Sequence, residues 1–146
     1  MTEILIKRLS KNVPLPKYET EGSSGLDLAA NVDKQIEIFP GKSETIPTGL
    51  MVAIPKNYEI QIRPRSGLAA KSQISVLNTP GTIDSDYRGE IKVILINLSD
   101  KVFVVEKGLR IAQMVLSPVI KATLKEVPEL ENTERGSGGF GSTGIK

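Results

Sequence analysis

The feature that most constrains this chain is a succession of short, β-branched runs, each cut off by turn residues. Ile4 and Ile6 alternate with Leu5 and Lys7, and Leu26–Ala30 is short and rich in small residues. Gln35–Phe39 alternates polar and apolar residues before a Pro40–Gly41 turn. Leu50–Ile54 and Tyr58–Ile62 flank Pro55–Lys56–Asn57, with Ile60 and Ile62 on one face. Ile74–Leu77, Ile91–Ile96 and Val102–Val105 follow, and Ile111–Leu116 and Ala122–Val127 close the ordered part. Runs of this kind at roughly 8–12-residue spacing predict an all-β sandwich or barrel. Ile91–Ile96 is almost wholly apolar, which predicts burial on both faces. One segment breaks the pattern. Ser66, a good N-cap, precedes Gly67–Leu68–Ala69–Ala70–Lys71 and predicts one short helix.

The length, 146 residues, suits one domain that can bury a core without disulfides. The composition changes after Val127. Pro128–Arg135 is polar and charged, and Arg135–Lys146 reads RGSGGFGSTGIK. A glycine run like this is mobile unless something holds it. The expected division is therefore a β domain over 1–127 and a C-terminal arm over 128–146. Net charge is only +2, which argues against stable nucleic-acid binding. No apolar stretch approaches the roughly 20 residues of a membrane helix. Met1–Ser10 lacks an apolar core of signal-peptide length, so a soluble cytoplasmic protein is expected.

Two absences narrow the chemistry. With no Cys there is no thiol nucleophile, and with no His the catalytic base must be a carboxylate or, failing that, Lys or Tyr. Zinc sites built on Cys and His are excluded, and a metal here would be an oxygen-liking ion such as magnesium.

Five segments could carry chemistry. Gly81–Glu90 reads as a β-hairpin around Ser85–Asp86, with two acids, a Tyr and an Arg close together. Apolar Ile83 before Asp84 predicts partial enclosure of a carboxylate that could take a proton from water. Tyr87 could present its ring to a sugar or base. Alone, the segment also reads as a solvated turn. Arg63–Pro64–Arg65–Ser66–Gly67 places a forked donor beside a helix start, suited to phosphate oxygens or simply to solvent. The glycine-rich arm is not a P-loop. It reads as a linker, except that Phe140 could stack on a base and Ser142 and Thr143 could cradle a phosphate. Asp27 lies between two leucines in Ser24–Ala29 and needs partners if buried. Gly108–Gln113 reads as a turn into a strand.

In this order, Ser24–Ala30, Pro64–Ala69, Asn78–Asn97, Gly108–Gln113 and Arg135–Gly144 resemble the five motifs of the homotrimeric dUTPases. One departure is Ser24, where that family often has Ala. The resemblance implies a dUTPase-like β-barrel or jelly roll with one short helix and a glycine-rich arm. It implies hydrolysis of dUTP to dUMP and pyrophosphate, with magnesium on the triphosphate. Asp84 would be the general base. Asp27 would support the site and meet the metal through a bound water. Asn78 and the backbone around Thr82 would read uracil, and Tyr87 would lie under the deoxyribose. Arg65, Ser66, Gly67 and Gln113 would hold phosphates. Arg135, Phe140, Ser142 and Thr143 would close over the nucleotide, with the arm crossing to a neighbouring subunit. Twelve residues from Arg135 can span roughly 40 Å when extended.

Two other readings share the fold. A dCTP deaminase would place a Glu on the strand Ile91–Ile96, where Lys92 is the only polar residue. A non-catalytic nucleotide-binding or regulatory module would be expected to have lost Asp84 or Asp27, and both are present.

Overall fold

Side-chain alternation decides the layers. The computed structural model describes residues 1–144, and its strands, apart from the exposed Leu5–Arg8 strand, turn buried residues toward the core. In chain order these are β1 (Leu5–Arg8), β2 (Leu26–Ala29), β3 (Ile36–Ile38), β4 (Ser43–Ala53) and β5 (Tyr58–Arg63), then helix α1 (Ser66–Ser72). Then come β6 (Ile74–Val76), β7 (Gly81–Ile83), β8 (Glu90–Asn97), β9 (Phe103–Val105) and β10 (Arg110–Pro118). One four-stranded sheet has the order β1-β4-β8-β6, a second β2-β10-β5-β7, and β3 pairs with β9. Every pairing is antiparallel. The two larger sheets turn apolar faces to each other. Leu28, Ile60 and Ile111 from one meet Ile46, Ile74, Ile91 and Leu95 from the other, all essentially inaccessible to solvent. Burying one such side chain contributes roughly 1.5–3 kcal/mol.

Two polar groups inside this core are fully satisfied. The Asn97 amide donates to the carbonyls of Ile38 (2.8 Å) and Lys101 (2.7 Å), and its oxygen accepts from the Ser99 amide and hydroxyl. The Thr48 hydroxyl donates to the Ile91 carbonyl at 2.6 Å.

Several expectations need correction. The segment around Ser85–Asp86 is not a hairpin. β7 pairs with β5 and β8 pairs with β4 and β6, so Asp84–Gly89 is a corner carrying the chain from one sheet to the other. Ile91–Ile96 is buried on one face only. Ile91, Val93 and Leu95 point inward, while Ile94 and Ile96 are half-exposed and Lys92 is exposed. Ser66 does not cap the helix but begins it. Arg65 holds the cap position in extended conformation, with no side-chain capping bond. Ala122–Val127 forms no strand within the chain. Ile120, Ala122 and Leu124 alternate with polar residues, but no strand edge among the described residues receives them, and Ile120 and Leu124 stay 96% and 94% exposed. Alternation supplies an apolar face without supplying a partner.

Candidate active site

The outward face of the β2-β10-β5-β7 sheet carries the polar side chains. Inward-pointing Leu28 leaves Asp27 facing out. Register sets Asp27 beside Gln113 and Gln113 beside Arg63, so three strands contribute one row. Asp27 is half-buried, as its place between two leucines implied, and its partners are cations. Arg65 donates to both carboxylate oxygens, Nε at 3.1 Å and Nη2 at 3.3 Å. Arg110 donates to the same carboxylate at 3.2 Å. This fork-on-carboxylate geometry, with Nη1 donating to the Arg110 carbonyl at 3.3 Å, holds Arg65 in place. The Gln113 amide donates to the Pro64 carbonyl at 3.0 Å. A Cβ on Gly25 would overlap the Gln113 amide, so glycine leaves the room that side chain occupies. Ser66 and Gly67 are exposed at the start of α1, next to Arg65.

The sequence reading of Gly108–Gln113 as a turn into a strand did not single out Arg110, and simple alternation would put it on the side of Ala112 and Met114, toward the core. A bulge overturns that reading. The register slips between Arg110 and Ala112, both Ile111 and Ala112 are buried, and Arg110 turns outward to Asp27. The bulge shows as a slip in the pairing register, which is not visible in the sequence.

The second cluster lies at the far edge of the same sheet. Thr82 on β7 pairs with Gln61 on β5 and is exposed. Asn78, also exposed, packs against Gly81, where an added Cβ would stand 3.3 Å from its amide nitrogen. Beyond β7 the corner is closed by the Tyr87 amide donating to the Asp84 carbonyl at 3.1 Å. Arg88 donates to the Ser85 carbonyl at 2.7 Å. Asp84 is exposed, not partly enclosed as Ile83 suggested, because it follows directly on β7, the edge strand of its sheet. With Asp86, Glu59, Lys56 and Lys121 it lines a polar cleft of about 260 Å³.

The structure keeps these clusters apart. From Asp27 to Asp84 is three strand spacings across and four residues along, roughly 14 Å by roughly 13 Å, or about 19 Å in all. Among the described residues the arm makes no hydrogen bond to either. Arg135 donates to the Gly138 carbonyl, successive turns follow, and Phe140, Ser142 and Thr143 are exposed. No group of three or more acidic residues that could cage a metal occurs among the described residues.

A family model described as dUTPase matches residues 11–144. This chain belongs to the dUTPase family. It is accordingly an enzyme, a dUTP diphosphatase. Relatives named deoxyuridine 5'-triphosphate nucleotidohydrolase include that of Hydrogenobaculum sp. (strain Y04AAS1), 57% identical over 99% of both chains. Another, from Brucella melitensis biotype 2, is 58% identical over 92% of this chain and 87% of the relative. Among solved structures, the Staphylococcus bacteriophage 80alpha dUTPase with dUpNHpp superimposes with a TM-score of 0.84 at 27% identity, over 99% of this chain and 100% of the other. The fold is also that of a mutant dUTPase from phage phi11 of S. aureus, at a TM-score of 0.77, 22% identity and 89% and 99% coverage. That structure is described as revealing the coordination of a structural Mg(II) ion. The all-β jelly-roll reading thus holds for the enzyme. No helix among its described residues is long and apolar enough to cross a membrane.

Proposed function

We propose that the enzyme hydrolyses dUTP to dUMP and pyrophosphate at a site completed between copies of the chain, a homotrimer acting in the cytoplasm. The observation that carries this reading is the Asp27 carboxylate gripped by Arg65 and Arg110 on a sheet face that also bears Arg63 and Gln113. Placed guanidinium groups suit a triphosphate. Asp84, the proposed base, lies about 19 Å from that grip within one chain. A neighbour's corner can supply what the chain's own corner cannot reach. The uncovered apolar row Ile120, Ala122 and Leu124 supports assembly too, since exposed apolar surface of this kind marks contact sites.

In the proposed reaction, Asp84 accepts a proton as water attacks the α-phosphorus. The new oxygen–phosphorus bond forms as the bond to the bridging oxygen breaks, and pyrophosphate leaves with that electron pair. Arg65, Gln113 and the exposed Ser66–Gly67 segment hold and align the phosphates. Asn78 and the Thr82 backbone read the uracil edge, and Tyr87 lies under the deoxyribose. Asp27 fits a hydrated magnesium ion. Its oxygens already accept from two arginines, which leaves room for a metal-bound water and not for a cage, and magnesium commonly keeps its waters. Bound with the triphosphate, the ion would neutralise phosphate charge. The domain comprises 1–127, and the arm, 128–146, closes over the nucleotide with Arg135, Phe140, Ser142 and Thr143, excluding bulk water.

Pyrophosphate release from dUTP, dTTP, dCTP and UTP, measured in parallel with magnesium, tests the reading. Release from dUTP alone is expected. Release from none would favour a nucleotide-binding module, and ammonia release from dCTP would favour a deaminase. Mixing Asp84→Asn with Asp27→Asn chains tests the shared site. Asp84→Asn alone should be nearly inactive and Asp27→Asn alone weakened, and co-refolded mixtures should exceed the mean of the two because some sites combine two intact halves. No such excess, or an active monomer by mass in solution, would refute sharing.

A further inference from the structure

The Asp84–Gly89 corner holds one aromatic ring in a fixed place, and the means by which it does so are independent of each other. The Tyr87 hydroxyl donates to the Glu90 carbonyl at 2.9 Å. That acceptor cannot drift, because Glu90 opens β8. Its carboxylate accepts the Gly49 amide at 2.9 Å, and the next carbonyl, that of Ile91, takes the Thr48 hydroxyl. The second means is steric. A Cβ built on Gly89 would overlap the Tyr87 hydroxyl and ring, and these are the nearest atoms it would meet. Gly89 does not have the positive φ that favours glycine, so its backbone would accept any L-residue. What requires glycine at this position is the space taken by the Tyr87 ring. One side of that ring is thereby seated against the backbone, while the side chain as a whole remains 44% exposed.

We propose that Gly89 and the Glu90 carbonyl are positioning elements that set the preference for 2′-deoxyribonucleotides, acting through Tyr87. The inference rests on the reading above that Tyr87 lies under the deoxyribose. A ring can reject a 2′-hydroxyl only if it stays where the hydroxyl would be. A ring free to swing would yield and admit the ribonucleotide. Seating the ring before substrate arrives makes the selection a steric one. An alanine at position 89 would push the ring off its seat and break the bond to Glu90. The atoms that must move are the far end of one surface side chain, so the fold should survive.

The experiment compares kcat/KM for dUTP and UTP in the wild-type enzyme, Gly89→Ala, Tyr87→Ala and the double variant, with circular dichroism confirming the fold. Gly89→Ala should reduce the dUTP-over-UTP ratio by about tenfold or more, toward the Tyr87→Ala value. The dUTP loss should fall on KM more than on kcat. Adding Gly89→Ala to Tyr87→Ala should change the ratio no further. An unchanged ratio in Gly89→Ala, or an equal further drop in the double variant, would overturn the proposal. If Gly89→Ala does not fold, Tyr87→Phe carries the test. It keeps the ring but removes the tie to Glu90, so a wild-type ratio there would overturn the proposal. A wild-type enzyme that does not discriminate dUTP from UTP would instead remove the Tyr87 reading itself, and this inference with it.

Discussion

The two ends of the functional sheet face are built in opposite ways. At the Asp27 end, the contacts join residues far apart in the chain, with Arg65 and Asp27 separated by 38 positions and Arg110 and Asp27 by 83. At the corner, every side-chain tie of Tyr87 and Arg88 spans three residues or fewer. The first end is a charge lattice locked by neighbouring strands. The second is a self-contained turn, braced at its base and open at its tip. The difference teaches that the proposed anion grip depends on the whole fold being right, whereas the corner carries its own geometry, as the proposed shared site requires. Phosphate binding needs fixed charges; closing on a nucleoside needs an exposed, preshaped edge.

Substitutions can break this contrast, and the largest expected effect is at the corner. Asp84→Asn should lower kcat by about 10²–10⁴-fold while leaving dUTP binding intact. Melting temperature should not move, since the Asp84 side chain makes no hydrogen bond among the described residues. Near-normal turnover would remove Asp84 from the base role. Deleting Arg135–Lys146 should cut turnover by roughly 10²-fold and spare the fold, because Arg135–Gly144 contributes nothing to the core. An unfolded product by circular dichroism would contradict this. Asp27→Asn should sharpen the contrast by affecting both functions. We expect activity to fall about 10–10²-fold and stability to drop by about 1 kcal/mol, a modest figure because the partners are partly solvated. A thermal melt identical to wild type would show that Arg65 needs no anchor. The smallest effect should be Arg110→Ala, whose side chain is 53% exposed. We expect a loss of less than about 1 kcal/mol and a KM for dUTP raised severalfold. An effect as large as that of Asp27→Asn would make Arg110 a direct phosphate ligand.

The local end of this contrast was legible in the sequence and the long-range end was not. The chemistry-bearing segments, the Gly81–Glu90 corner, the helix after Arg65 and the arm could be picked out because their residues are neighbours in the chain. Even there, the pairing was misread: alternating runs on either side of a turn look like a hairpin, yet β7 and β8 lie in different sheets. Arg110 escaped notice because a one-residue bulge inverts the face that alternation assigns. The strand expected over Ala122–Val127 failed for the opposite reason, since an apolar alternation is there but no strand edge among the described residues pairs with it.

The sequence by itself therefore determined the class of structure, through the period-2 placement of apolar residues, and the available chemistry, through the absence of Cys and His. It also determined the family, whose motifs are contiguous strings. Only the tertiary structure decided that Asp27 is shared by two arginines, that Asp84 stands far from it in the same chain, and that Gly89 is occupied by the Tyr87 ring. The physical reason is that alternation fixes which side a residue faces but not which strand lies beside it. Neighbours across a sheet are chosen by register, and register is settled by the packing of the whole core.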